Sequence, residues 1–252
     1  MEPKKELTIE DMHRIILDIM KDIDRFCRKI DIPYTISAGT MLGAVRHGGF
    51  IPWDDDADLF MLREDFDRFV ATYRSDKYHL LFNTRTDDEF LACGFAKVCD
   101  PGTRIQDDTT LTRYGVFVDI FPLDDVPEDP AECHRYMHRV MRLHNRIHHR
   151  QKKDIISIIK SYRHSLDWWW NRLDATVHAG TYAGSPLVAQ AIGTDNYRTV
   201  LRRDRFETLT DIPFEGYNFL GFSDPHSYLE MLYGPDYMTP KKWSHNIRIL
   251  EK

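Results

Sequence analysis

The run GVFVDIFPL, residues 115–123, surrounds one carboxylate, Asp119, with Val116, Phe117, Val118, Ile120 and Phe121. A short apolar run of this kind has the profile of a buried strand. An ionised carboxylate inside such a strand costs several kcal/mol unless a cation meets it. The cation is either an Arg or Lys from elsewhere in the core or a bound metal, and both choices require a sheet that brings distant segments beside residue 119.

A second group of acids lies upstream in HGGFIPWDDDADLF, residues 47–60, where Asp54, Asp55, Asp56 and Asp58 crowd together. Like charges at this spacing raise one another's pKa unless solvent or a cation takes up the field. If residues 56–60 form a strand, Asp56 and Asp58 share a face, Asp54 has their parity and Asp55 points the other way. Two carboxylates on one face can chelate Mg²⁺, which prefers a few hard oxygens and completes its shell with water and substrate phosphates. A charged turn leading into an edge strand is the plain alternative. Asp119 arriving on a neighbouring strand would make a metal site for phosphoryl transfer.

The rest of the chain predicts a setting for these acids. Met12, Ile15, Ile16, Ile19, Ile23, Phe26 and Ile30 recur at helical steps behind a Thr8-x-x-Asp11 capping box. A strand at 32–37, a Gly39-Thr40 turn, and a short helix ending at Gly48-Gly49 follow. Then come a strand at 56–62 and a helix at 64–73, with further strands at 78–82, 90–98 and 114–123. Residues 131 to about 180 read as two helices, 206–222 as a hairpin, and 224–234 as a helix opened by Asp224-Pro225. The organisation expected is an α+β core over 1–127, a helical insertion over 128–195 and a C-terminal segment, 196–252, completing the core.

The Gly39-Thr40 turn before a helix offers backbone N–H groups to a phosphate. Arg46 and His47 could add charge-assisted contacts, unless Arg46 simply caps its helix. Cys27, Cys93, Cys99 and Cys133 show no C-x-x-C spacing and are expected as buried thiols. No apolar run follows Lys4-Lys5, and no stretch nears about 18 apolar residues, so neither a signal peptide nor a membrane span is expected. The expected location is the cytoplasm, with peripheral attachment to the inner face of the membrane as an option. A formal charge of −6 argues against a protein that coats nucleic acid.

Taken in order, a strand, a Gly-Thr turn with a helix, a D-x-D strand and a later lone Asp resemble the nucleotidyltransferase fold. The block SAGTMLGAVRHGGFIPWDDDADL resembles the LicD family of phosphotransferases more specifically, and GVFVDIFPLD and YLEMLYGPDYMTP are similar to that family's later motifs. The resemblance runs from about Tyr34 to Pro240. It implies a mixed-sheet nucleotidyltransferase-like core and transfer of phosphocholine, or a related alcohol phosphate, from CDP-choline or another CDP-alcohol. The acceptor would be a glycan or lipid-linked glycan such as teichoic acid, lipopolysaccharide or capsule, with CMP released. It further implies that Asp56 and Asp58 bind Mg²⁺, or alternatively Mn²⁺, and that Asp119 is a third ligand or the base. Gly39-Thr40 and Arg46 would hold the donor phosphates. The fukutin-related branch carries a cysteine-ligated zinc element that this chain's four cysteines do not match, which favours the bacterial branch.

Lys97, central in FAKVCD, is expected either to reach a phosphate, to pair with a site carboxylate, or to point outward. Choline is a quaternary ammonium, and proteins hold it on aromatic faces. Trp53, Phe121 and Tyr34 are candidates, as are Trp168, Trp169 and Trp170, of which at least one must be exposed or cover a groove because helix neighbours differ by about 100°. Lys241 and Lys242 are further candidates for donor contact. Residues 135–172 hold ten Lys or Arg against Asp154 and Asp167 alone, a basic feature suited to anionic lipid or a polyanionic glycan, or simply a solvated helix face. Competing activities are nucleotidyl transfer to a small molecule or protein, glycosyl transfer using the D-x-D, and a catalytically silent module that binds a CDP-alcohol or glycan.

Overall fold

The computed structural model describes residues 6–105, 109–161, 163–193, 199–240 and 249–251. Seven α-helices are described, α1 (Ile9–Ile30), α2 (Ala38–His47), α3 (Arg63–Thr72), α4 (Pro130–Gln151), α5 (Ile155–Ser161), α6 (Leu166–Val177) and α7 (Pro225–Tyr233), with a 3₁₀ helix at Arg203–Thr208. The strands begin with β1 (Thr35–Ile36), β2 (Asp58–Leu62), β3 (His79–Leu81), β4 (Thr84–Arg85), β5 (Phe90–Leu91), β6 (Ala96–Cys99) and β7 (Thr103–Ile105). They continue with β8 (Phe117–Asp125), β9 (Leu187–Ala189), β10 (Val200–Arg202), β11 (Leu209–Phe214), β12 (Tyr217–Phe222) and β13 (Ile249–Glu251).

The main sheet is mixed. Its path is β1-β2-β8-β6-β3, with only β2 and β8 parallel among the described residues, and β9 and β10 extend it from the far end of β8. β8 is the central strand that its apolar run demands. It is flanked by β2 on one side and by β6 and then β9 on the other, and Val118 and Ile120 are fully buried.

α1 begins with the expected capping box. Thr8 Oγ1 accepts from the Asp11 N–H at 3.1 Å, while Asp11 Oδ2 accepts from the Thr8 N–H at 3.4 Å. Such a cap contributes about 1 kcal/mol. The helix buries Ile16, Ile19, Met20 and Ile23, at the spacing that predicted it. The largest apolar cluster joins α1, α2, α3, α7 and the β11–β12 hairpin to the sheet. A second cluster joins α4 and α6 to β9 through Tyr136, Met137, Val140, Trp170, Leu173 and Ala189.

Several boundaries differ from expectation. The strand at 32–37 shrinks to two residues and that at 56–62 begins at Asp58. The run 90–98 is broken into β5 and β6 by Ala92–Phe95. The basic segment holds three helices, because the chain turns at Lys153-Asp154, where Asp154 Oδ1 caps the next helix by accepting from the Ser157 N–H at 2.8 Å. Gly39 and Thr40 lie in the first turn of α2 instead of in a loop. The helix at 38–47 does end at Gly48, held at φ 69°, where glycine carries no steric penalty. All four cysteines are buried free thiols. Among the described residues, no helix is long and apolar enough to cross a membrane.

Candidate active site

The sheet register assembles the centre of the site. Parallel pairing of β2 with β8 sets Asp58 opposite Asp119, and antiparallel pairing of β6 with β8 sets Lys97 opposite the same Asp119. One row across three strands therefore reads Asp58, Asp119, Lys97. Asp56 joins it from the extended segment before β2, and Asp56, Asp58 and Asp119 bring carboxylate oxygens within 4.8 Å of one another. The parity expected for the acids holds: Asp54, Asp56 and Asp58 are partly exposed, whereas Asp55 and Ala57 are buried. Asp54 and Asp55 also have oxygens within 4.8 Å of Asp56.

The backbone around the row is pinned at several points. The Asp58 N–H donates to Thr40 Oγ1 at 2.8 Å and its carbonyl accepts from the Ser37 N–H at 2.9 Å. The Asp119 N–H donates to the Ala57 carbonyl at 2.8 Å. Thr40, read from the sequence as a phosphate ligand, thus first serves to seat Asp58. Ala38 is held at φ 44°, a left-handed conformation costing on the order of 1 kcal/mol or more, with its N–H donating to Tyr228 Oη at 3.0 Å. Ser37 Oγ is buried with no hydrogen-bond partner at this same helix start. Gly39 leaves room for the Asp54 carboxylate: a Cβ there would stand 2.7 Å from Asp54 Oδ2.

Electrostatics distinguish the members of the row. Burial, with Asp54, Asp119 and Asp55 as neighbours, pushes Asp56 up to about 7. Burial together with Asp56 and Asp119 raises Asp58 well above the usual carboxylate range. Burial also raises Asp119, but Lys97 restrains it through a hydrogen bond of 2.5 Å to Oδ1. Lys97 is 4% exposed and its Nζ sits 3.5 Å from the centroid of Phe117, with Tyr114 and Phe95 at 5.0 and 5.3 Å. Of the three fates considered for this lysine, pairing with a site carboxylate is the one observed. A cluster of three carboxylates carrying one lysine has excess negative charge and only hard oxygen donors. That chemistry fits a divalent ion of the Mg²⁺ type.

The remaining candidates fall in three groups. Arg46 and His47 close α2 beside Trp53, with the His47 and Trp53 rings 6.5 Å apart, and Arg46 Nη1 donates to the Tyr237 carbonyl at 3.1 Å. Arg46 is thus tied to the segment after α7 in addition to its place near Asp54. Phe121, two residues beyond Asp119 on the same face of β8, is partly exposed. Tyr34 is withdrawn from the site: it is fully buried and donates to Asp24 Oδ1 at 2.6 Å. Trp168 is 43% exposed, stacked on His164 and edge-on to Trp169 at 4.7 Å, while Trp169 also lies near Arg146 and Trp170 turns inward against Phe82. Lys241 and Lys242 lie outside the described residues.

Three neighbours were not legible in the sequence. Phe95 packs against Phe121 with ring centroids 4.6 Å apart, and His144 from α4 stands 6.3 Å beyond Phe95. His13 of α1 also reaches the acidic segment, its Nε2 donating to the Asp54 carbonyl at 2.6 Å. No local pattern in the sequence could have paired these residues, since each contact depends on strand register or helix docking.

A family model described as LicD/FKTN/FKRP, nucleotidyltransferase domain, matches residues 31–156, the segment that holds every acid of the row and Lys97. Over 146 residues the chain is 35% identical to the lipopolysaccharide cholinephosphotransferase LicD of Haemophilus influenzae, covering 57% of this chain and 53% of that protein. It is also 38% identical over 71 residues to an uncharacterized protein of Rickettsia typhi, covering 27% of this chain and 23% of that protein. A second uncharacterized protein, from Rickettsia prowazekii, is 48% identical over 50 residues, covering 20% of this chain and 19% of its own length. The chain thus spans about half the length of the Haemophilus relative and less than a quarter of the other two.

Proposed function

Because the chain belongs to the LicD/FKTN/FKRP nucleotidyltransferase-domain family, we propose that it transfers phosphocholine, or a closely related alcohol phosphate, from a CDP-linked donor to a hydroxyl of a cell-surface glycan. The observation that carries this reading is the Asp58–Asp119–Lys97 row with Asp56 beside it. The similarity to a protein named for choline phosphate and lipopolysaccharide supports the choice of donor and acceptor class.

In this reading Asp56 and Asp58 hold Mg²⁺, with Mn²⁺ as an alternative, and Asp119 is a further ligand or the base. The bound ion would screen the diphosphate and offset charge on the attacking and leaving oxygens. Asp119, raised by burial and oriented by Lys97, accepts the proton of the attacking hydroxyl. The acceptor oxygen forms a bond to the phosphorus distal to cytidine. The bridging P–O bond breaks, and CMP departs with its electron pair. The start of α2, at Gly39, receives donor phosphate oxygens, with Arg46 and His47 farther along the same helix. Calorimetric titration with CDP-choline, CDP-glycerol, CDP-ribitol, an NTP and a UDP-sugar, each with Mg²⁺ and again with chelator, tests the donor. Metal-dependent binding of one CDP-alcohol is expected. Preference for an NTP or the UDP-sugar would move the activity to nucleotidyl or glycosyl transfer, with pyrophosphate or a nucleoside diphosphate as product in place of CMP.

The acceptor reading extends to an anionic membrane surface contacted through residues 135–172. Ile155, Ile156 and Ile159 of α5 are 74%, 65% and 60% exposed, and exposed Arg135, Arg139, Arg142 and Lys153 share the segment. Exposed apolar side chains on a basic segment suit an anionic lipid interface. Co-sedimentation with phosphatidylglycerol vesicles, but not phosphatidylcholine vesicles, is expected, and Ile156→Glu with Ile159→Glu should abolish it. Equal recovery with both lipids, or no effect of the substitutions, would remove this contact.

A further inference from the structure

The face of the sheet that carries the acids does not stop at them. Two residues on along β2 and β8, on the same face, stand Phe60 and Phe121, again opposite each other in register. Extending the antiparallel pairing of β6 by one residue, from Ala96 opposite Ile120, sets Phe95 opposite Phe121, as their 4.6 Å ring separation agrees. A charged row of Asp58, Asp119 and Lys97 is therefore followed by an aromatic row of Phe60, Phe121 and Phe95.

The members of the second row differ in availability. Phe60 is 1% exposed and meets Phe121 edge-on at 6.3 Å, so it is backing. Phe121 and Phe95 are partly exposed. Behind Phe95 lies His144, whose Nδ1 is buried without a hydrogen-bond partner, and burial pushes this imidazole down to about 4, so it adds no positive charge. Lys97 already lies over Phe95 but is neutralised by Asp119. Two other aromatic candidates are taken up elsewhere, Tyr34 by Asp24 in the core and Trp170 by Phe82, while Trp53 stands edge-on to His47 at the other end of α2 and lies outside this row.

We propose that Phe121 and Phe95 form a platform for a quaternary ammonium group, and so determine which alcohol phosphate the site accepts. The inference rests on the donor reading above and deepens it. The two rows are roughly 6.5 Å apart along the strands, a separation that a phosphocholine group spans when counted from its phosphate oxygens to its ammonium methyls. Ring faces attract a cation through their quadrupole, whereas a polyol such as ribitol or glycerol would leave its hydroxyls facing phenyl carbons without partners.

The test compares two ligands of one shape. CDP-choline and its carbon isostere, CDP-3,3-dimethylbutanol, differ only in the positive charge. Titration with Mg²⁺ should show the native protein preferring the charged ligand by about tenfold, the scale of a desolvated cation–π contact. Phe121→Leu should bring the ratio towards one by weakening the charged ligand far more than the isostere. Phe95→Leu should do so in part, and Phe121→Tyr, which keeps a ring, should retain the preference. The binding of the isostere that remains serves as the check on folding. A native ratio near one, or a ratio untouched by both leucine variants, overturns the platform while leaving CDP recognition standing. Failure of the native protein to bind either CDP compound overturns the donor reading itself, and the platform with it.

Discussion

Asp58→Asn is expected to lower transfer at least about a hundredfold, the scale for removing one preorganised electrostatic group, and at the same time to stabilise the metal-free protein. The second half follows from the crowding of the acids. Asp56 is pushed up to about 7 by burial and by Asp54, Asp119 and Asp55, and Asp58 is raised well above the ordinary value by burial and by Asp56 and Asp119. A carboxyl whose folded pKa exceeds its unfolded value binds its proton more tightly in the folded state. For Asp56 the stability so contributed is full below an unfolded pKa near 4 and is lost as the pH rises through about 7, and for Asp58 it is lost as the pH rises through its raised folded pKa. Thermal unfolding of the chelator-treated native protein should therefore occur at lower temperature at about pH 8 than at about pH 5, with Mg²⁺ restoring the difference. In Asp58→Asn the fall with pH should be shallower and the response to Mg²⁺ weak. A melting temperature in the native protein that ignores both pH and Mg²⁺ would remove the basis for a cation at this row.

Lys97→Met should be the most destabilising single change near the site. It leaves Asp119 buried without its partner, and breaking a buried pair from one side costs about 3–5 kcal/mol. The loss of three ring contacts to the ammonium adds to this. Adding Asp119→Asn removes the stranded charge and should return most of the stability, measured by urea unfolding, with no return of transfer. That split separates the lysine's part in folding from the aspartate's part in chemistry. A Lys97→Met protein as stable as the native one would mean that Asp119 is held by other means.

What could be read from the sequence was what local chemistry decides. The Thr8 capping box, the Gly48 terminus of α2, the β11–β12 hairpin and the alternation of the acids before β2 all follow from residues within a turn or two of one another. Asp119 was conspicuous because a charge among valines and phenylalanines needs an explanation. The pairing of Lys97 with Asp119 was one of three options, and only the β6–β8 register chooses among them. Phe95 escaped attention because the apolar run 90–98 looked continuous, while the structure breaks it at Ala92–Phe95 and turns the ring towards Phe121. Gly39-Thr40 was assigned to a turn because Gly favours one. Tertiary contacts instead hold Ala38 in a left-handed conformation and begin the helix there, two residues before Thr40.

The register of the charged row also bears on the order in which the chain can assemble. Lys97 and Asp119 are only 22 residues apart and meet through an antiparallel pair, whereas Asp58 must find Asp119 across a parallel pair that closes a much longer loop. Closing the shorter loop costs less chain entropy, and contacts of low sequence separation form sooner. The ammonium would then already sit against Asp119 when the second carboxylate strand docks, so the like charges are brought together only after one of them has been neutralised. The lysine in the row is on this account a folding chaperone within the chain, spent early, and its later duty is to keep the same carboxylate aimed at the substrate.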